Sequence, residues 1–273
     1  MDAQTISFLL GAFLGILLSL TGAGGGIVSV PLLVFAAFAL HLSIAEASLI
    51  GLLAVMLAAG VGAVVALRIG IVRYKAAGLM AGCGVVFAPL GIWLAQRLPN
   101  AWLTVLFAGV LVFVALRILQ QANRELDALG WADDRPSPPC QLDKMRGKLR
   151  WTAPCARSIM LAGSMAGFLS GLLGVGGGFV IVPALRGFTN LDIKSIVATS
   201  LAVIAIVSAG GVIVAAWHGL IIWGHAWPFA TGAVVGMLAG RKLARGPTGP
   251  RVQQSFAVFA LFVAEGLLIN LVL

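Results

Sequence analysis

Two stretches of the chain, "TGAGGGIVSVPLL" at 21–33 and "GVGGGFVIVPAL" at 174–185, carry the residues best suited to hold a ligand. Glycine weakens a helix by about 1 kcal/mol relative to alanine. Gathered as Gly22, Gly24, Gly25, Gly26 and as Gly174, Gly176, Gly177, Gly178, these residues predict a break followed by a new helix near Ile27 or Phe179. A helix that opens there presents backbone N–H groups pointing one way, with partial positive charge. Successive N–H groups form a concave anion nest, and the missing Cβ atoms allow close approach. The hydroxyls of Ser19, Thr21, Ser29 and Ser48, and of Ser170, Thr199 and Ser200, would add donors. Pro31 and Pro183 follow seven residues after the second glycine of their cluster, where proline fits a first helical turn or ends a short segment. The chemistry this predicts is reversible binding of a small anion by uncharged groups. The competing reading is that the glycines only let helices pack closely.

Ionisable residues inside apolar segments are few. Glu265, in "FVAEGLLINL", could carry a coupling proton or sit near an outer interface or subunit contact. Glu46 also has two readings: a proton site, or the last residue of a capping box, since "SIAE" at Ser43–Glu46 has that spacing. His41, His218 and His225 read as scattered interfacial residues, and Trp102, Trp151, Trp217, Trp223 and Trp227 as interfacial anchors. Cys83, Cys140 and Cys155 match no metal or redox spacing and read as isolated thiols. With no paired carboxylates, no His/Glu spacing and no P-loop lysine, the chain reads as neither an enzyme nor a resident-metal or cofactor protein.

These residues sit in a chain that is 60% hydrophobic and only 10% charged, with a mean hydropathy of +1.07. Soluble domains carry about 25% charged residues. Apolar runs recur at 4–21, 26–40, 44–67, 74–96 and 100–120, and again at 157–173, 178–189, 195–217, 225–245 and 252–272. The pattern predicts an all-α polytopic membrane protein of about ten segments, with the N-terminal run retained. The second run of each set is too short for a sure crossing.

The two sets are copies. An offset of 152 places Gly15, Gly22, Gly24, Gly25, Gly26 and Pro31 on Gly167, Gly174, Gly176, Gly177, Gly178 and Pro183, and Ser48 on Ser200. After a three-residue deletion an offset of 149 pairs Gly70 with Gly219, Gly91 with Gly240 and Phe107 with Phe256. Residues 1–120 and 157–273 therefore read as repeats joined by a polar linker at 121–156. If the first two runs of each half form a hairpin, all 18 Lys and Arg except Arg97 fall on one side. By the positive-inside rule that side, linker included, is cytoplasmic and both termini are outside. Each half then crosses an odd number of times, so the halves are inverted about broken helices, an architecture of secondary transporters. The same count explains the net charge of +9 without a nucleic-acid partner. The implied partners are the bilayer and a small anion; a homo-oligomer stays open.

The segments "LLSLTGAGGGIVSVPLL" and "FLSGLLGVGGGFVIVPAL", with "EASL" and "ATSL" behind them, resemble the TauE/SafE family, also called sulfite exporters or toluenesulfonate uptake permeases. That resemblance spans both halves. It implies a bacterial inner-membrane carrier of sulfite or an organosulfonate such as sulfoacetate, coupled to the proton gradient. A cation or metal transporter, or a passive anion channel using the same broken-helix site, remains the alternative from the residues themselves.

Overall fold

The computed structural model describes residues 3–21, 44–127, 140, 142–143, 148–149, 152–173, 176–243, 258, 261–262 and 265–266. These are nearly all helical. Helix α1 spans Ala3–Thr21, α2 Ile44–Ile69, α3 Tyr74–Arg97 and α4 Asn100–Asp127; α5 spans Ala153–Leu173, α6 Gly178–Phe188, α7 Ile193–Trp217 and α8 Trp223–Leu243. Four of them, α2, α3, α5 and α7, are long and apolar enough to cross a membrane. Between α4 and α5 lies a two-residue antiparallel pairing, Leu142–Asp143 with Lys148–Leu149. Large apolar side chains face outward along the helices, among them Phe13, Leu67, Phe113 and Leu161, as a hydrocarbon surround requires.

Small residues set the packing. Helices in lipid associate through close backbone approach because tails are as apolar as leucine. A Cβ added to Gly11 would strike the backbone of Phe229, and one at Gly15 would strike Ala233, so α1 and α8 lie side by side and run parallel. The same holds for α5 on α3: Gly163 meets Met80, Gly167 meets Gly84 and Gly171 meets Ala88. Each contact of the first pair maps onto one of the second under the two sequence offsets, Gly11 to Gly163 and Phe229 to Met80. Between the pairs, α2 and α7 cross antiparallel, with Leu52 at Gly211 and Leu201 at Gly62. Gly70 and Gly219 close α2 and α7 with positive φ of 77° and 66°.

That central crossing corrects one alignment. Ile44 and Ile193 begin the two helices, and Leu52 and Leu201 make reciprocal contacts, so the offset is already 149 at the start of α2. The three-residue change falls before the helix, where insertions cost little. Ser48 is therefore not the counterpart of Ser200.

The cysteines need a second correction. Cys140 and Cys155 are not isolated thiols but a disulfide, and among the three only Cys83 is free. Spacing alone gave no pairing because a chain reversal between them brings the sulfurs together. Cys140 also donates its N–H to the Phe188 carbonyl at 3.0 Å, tying the linker to the last turn of α6 and the start of α5.

Helix directions segregate the two ends of the bundle. Arg68, Arg73 and Lys75 at the α2–α3 turn share one end with Arg157, Lys194, Arg241 and Lys242. At the opposite end Trp102, Trp217, Trp223 and Trp227 are exposed, and the Arg97 guanidinium lies 4.1 Å over the Trp93 ring.

Two measurements check this packing. Gly167→Leu should cost at least the roughly 1–3 kcal/mol of overpacking, read as a lower melting temperature, because the obstacle is backbone. Gly82→Leu, at a position with open space, should melt like the parent; equal melting of both would exclude the close α3–α5 contact. Under denaturing, non-reducing conditions a maleimide should label one thiol per chain; labelling of three would exclude the Cys140–Cys155 bond.

Candidate functional site: the glycine break ahead of helix α6

After α5 the chain reverses. Gly176 and Gly177 both take left-handed backbone, with φ of 74° and 68°. Residues with a Cβ pay about 1–2 kcal/mol for each such conformation, so glycine is required here twice in succession. Gly177 is the N-cap of α6 and no side chain caps the helix. Its carbonyl accepts from Val180 and Ile181 N–H, so the helix closes immediately behind the turn. The first N–H groups of a helix have no acceptor within it, and at α6 they open beside the turn.

Depth follows from the neighbours. A Cβ at Gly177 would meet the Ala166 carbonyl, midway along α5. One at Gly176 would meet Val55 of α2 at 2.7 Å, Ile204 of α7 at 2.9 Å and the Ser208 hydroxyl oxygen at 3.0 Å. All three lie near the middle of their helices. From there α6 runs 11 residues, about 16 Å, to Phe188, beside the linker at the basic end. The short second run of this half thus starts at mid-depth and does not cross. Pro183 sits inside α6 at its sixth position, not in the first turn.

The expected hydroxyls divide. Thr199 Oγ1 donates to the Ser195 carbonyl at 2.6 Å and accepts the Arg73 N–H at 3.1 Å, fastening the α2–α3 turn to α7. Ser200 Oγ donates to the carbonyls of Ile196 and Val197, both at 2.9 Å. Ser170 is buried on α5, and Ser48 is buried on α2. Ser19 Oγ, buried without a partner among the described residues, lies against Gly240 two residues before the end of α1. Thr21 ends α1. The first glycine cluster, Gly22, Gly24, Gly25 and Gly26, with Ser29, Pro31 and Gly174, lies outside the described residues.

Neither acid sits at the turn. Glu46 is in the first turn of α2, nine residues or about 13 Å of helix before Val55. Glu265 is exposed. Sequence reasoning missed Ser208: it belongs to no motif, and only the fold of α7 brings it to the glycine turn.

The chain also matches known proteins. A family model for the sulfite exporter TauE/SafE covers residues 7–266 of the 273. The chain belongs to the TauE/SafE family. It is 28% identical over 236 residues to a "probable membrane transporter protein" of Xylella fastidiosa strain 9a5c, covering 86% of this chain and 82% of that one. A "probable membrane transporter protein" of Methanocaldococcus jannaschii is 28% identical over 208 residues, 75% of this chain and 69% of the relative. No solved structure matches. As a TauE/SafE member the protein is a multi-pass membrane transporter and not an enzyme, and its environment is the lipid bilayer.

The turn's geometry makes a direct prediction. Gly177→Ala should lose the roughly 1–2 kcal/mol of left-handed strain and more from the Ala166 carbonyl. Gly187→Ala, at an open position of the same helix, should not. Thermal melts of the two variants that coincide would remove the left-handed turn.

Proposed function

We propose that this TauE/SafE protein is a secondary carrier that exports a small sulfur-containing anion, sulfite or an organosulfonate such as sulfoacetate, across the bacterial inner membrane. The observation that carries the reading is the uncapped N-terminus of α6, opening at mid-depth behind two left-handed glycines. In hydrocarbon such irregular backbone survives only where it is buried in protein or lines a polar cavity. A negative ligand there would accept from N–H groups that the helix leaves over, in the field of its positive end. The sulfur chemistry is supported by the family's description as a sulfite exporter.

Alternating access is supported by the reciprocal packing. Because α1 runs with α8, α5 with α3, and α2 against α7, the counterparts α1 and α5 run in opposite directions, as inverted repeats do. In this proposal the first half repeats the hairpin, giving about ten segments. Residues 1–120 and 157–273 are the two halves, and 121–156 is a cytoplasmic linker. The basic end then faces the cytoplasm with both termini outside. Disulfides persist mainly in oxidising compartments, which pulls the other way. Both cysteines are fully buried, which denies cytoplasmic thiolates access to the bond, and the charge distribution supports the cytoplasmic side. The chain has no P-loop lysine, so an ion gradient, protons by the family resemblance, supplies the drive. Glu46 and Glu265 are the candidate proton carriers.

A thermal-shift screen of the purified protein tests the reading, with sulfite, sulfate, thiosulfate, sulfoacetate, taurine, acetate and phosphate at matched ionic strength. A ligand at 100 times its dissociation constant adds about 2.7 kcal/mol to folded-state stability. Stabilisation confined to sulfite or a sulfonate, and lost in Gly176→Leu, is the expected result. Stabilisation by a divalent cation alone would replace the anion carrier with a cation transporter built on the freed carbonyls.

A further inference from the structure

Beyond its first turn helix α7 carries three buried hydroxyls, and one behaves differently. Thr199 and Ser200 turn their Oγ atoms back onto carbonyls three or four residues earlier, the usual way for a hydroxyl to survive inside a buried helix. Ser208 is 0% exposed and its Oγ has no hydrogen-bond partner among the described residues. The Ile204 carbonyl stands one turn behind it in the place those other hydroxyls use. The oxygen instead faces the glycine turn, 3.0 Å from the point where a Cβ of Gly176 would lie. Burying an unpaired hydroxyl costs about 1–3 kcal/mol. The group is therefore a donor held ready beside the opening of α6.

The surroundings say what it would donate to. The turn's other neighbours at that point are Val55 and Ile204, both apolar. No charged residue occurs in the sequence of α2 between Glu46 and Arg68, of α5 after Arg157, or of α7 after Lys194. Among the described residues the positive potential available is that of one helix end, about half an elementary charge. Desolvation of an ion grows with the square of its charge, so this site can hold one negative charge far better than two.

We infer that Ser208 is a substrate-binding residue, and that its hydroxyl and the N–H groups opening α6 together select singly charged oxyanions, sulfonate or hydrogensulfite, over dianions such as sulfate. This rests on the anion-carrier reading above. Calorimetric titration of the full-length protein in nanodiscs tests it, with methanesulfonate as a fixed monoanion and sulfate as a fixed dianion. The parent should bind methanesulfonate at least tenfold more tightly than sulfate. Ser208→Ala should weaken methanesulfonate tenfold or more, with an unliganded melting temperature equal to or above the parent's, since it removes an unpaired group. Ser208→Cys keeps a donor, though a weaker one on a larger atom, and should fall between. Ser200→Ala, whose hydroxyl is used inside the helix, should bind as the parent does. Parent-like binding by Ser208→Ala would remove Ser208 while leaving the anion site standing. A lowered melting temperature in Ser208→Ala would assign the hydroxyl a structural partner and equally overturn its role. Sulfate binding as tightly as methanesulfonate would overturn the charge selection, and a parent that binds neither anion would end the carrier reading itself.

Discussion

Hydrocarbon supplies no hydrogen-bond partner, and this constraint governs the molecule. Every break in a helix must be placed where protein surrounds it. The turn at Gly176 and Gly177 is walled by Val55, Ala166, Ile204 and Ser208, which belong to α2, α5 and α7. Those walls stand close only because Gly163, Gly167 and Gly171 let α5 lie directly on α3, and Gly84 lets α3 approach Val207 of α7. Glycine thus does two different jobs in one protein. In α1, α3, α5 and α8 it is helical and permits contact; ahead of α6 it is left-handed and permits the turn.

The two readings weighed for glycine in the sequence were therefore not exclusive, and which applied depended on spacing. Gly11 and Gly15, or Gly163, Gly167 and Gly171, recur every four residues along one helix face, the spacing of a packing stripe. Gly176, Gly177 and Gly178 are consecutive and cannot share a face. Position in a repeat was equally legible: the offsets that align the halves also exchange Gly11 and Phe229 with Gly163 and Met80. Helix ends were close where a glycine or polar residue stops the run, as at Gly70 and Gly219, while α4 continues beyond its apolar run to Asp127.

What stayed hidden depended on tertiary placement. Thr199 looked like a donor to a ligand, yet its hydroxyl bonds to Ser195 and takes the Arg73 N–H from the neighbouring turn. Ser208 looked like one small residue among many in "AIVSAGG". Which hydroxyl is bonded within the helices and which faces the glycine turn depends on where α7 crosses α2, and no local pattern encodes that. The Cys140–Cys155 bond was hidden for the same reason, since it depends on the linker returning to the start of α5.

The crossing of α2 and α7 also shows where an approximately symmetric protein becomes asymmetric. Val55 and Ile204, which both face Gly176, are counterparts under the offset of 149, so the glycine turn lies against equivalent points of the two halves. One turn farther along, the counterpart of Ser208 is Ala59, buried and without a hydroxyl. A ligand between two identical walls would bind equally well in either of two orientations related by the internal two-fold relation. A hydroxyl on one wall and a methyl on the other remove that degeneracy. Under the proposed function, an amphipathic monoanion such as a sulfonate would then have one favoured pose, its oxygens toward Ser208 and the opening of α6. Within the proposed carrier, the near-equivalence of Val55 and Ile204 and the difference between Ser208 and Ala59 would together give the site a direction.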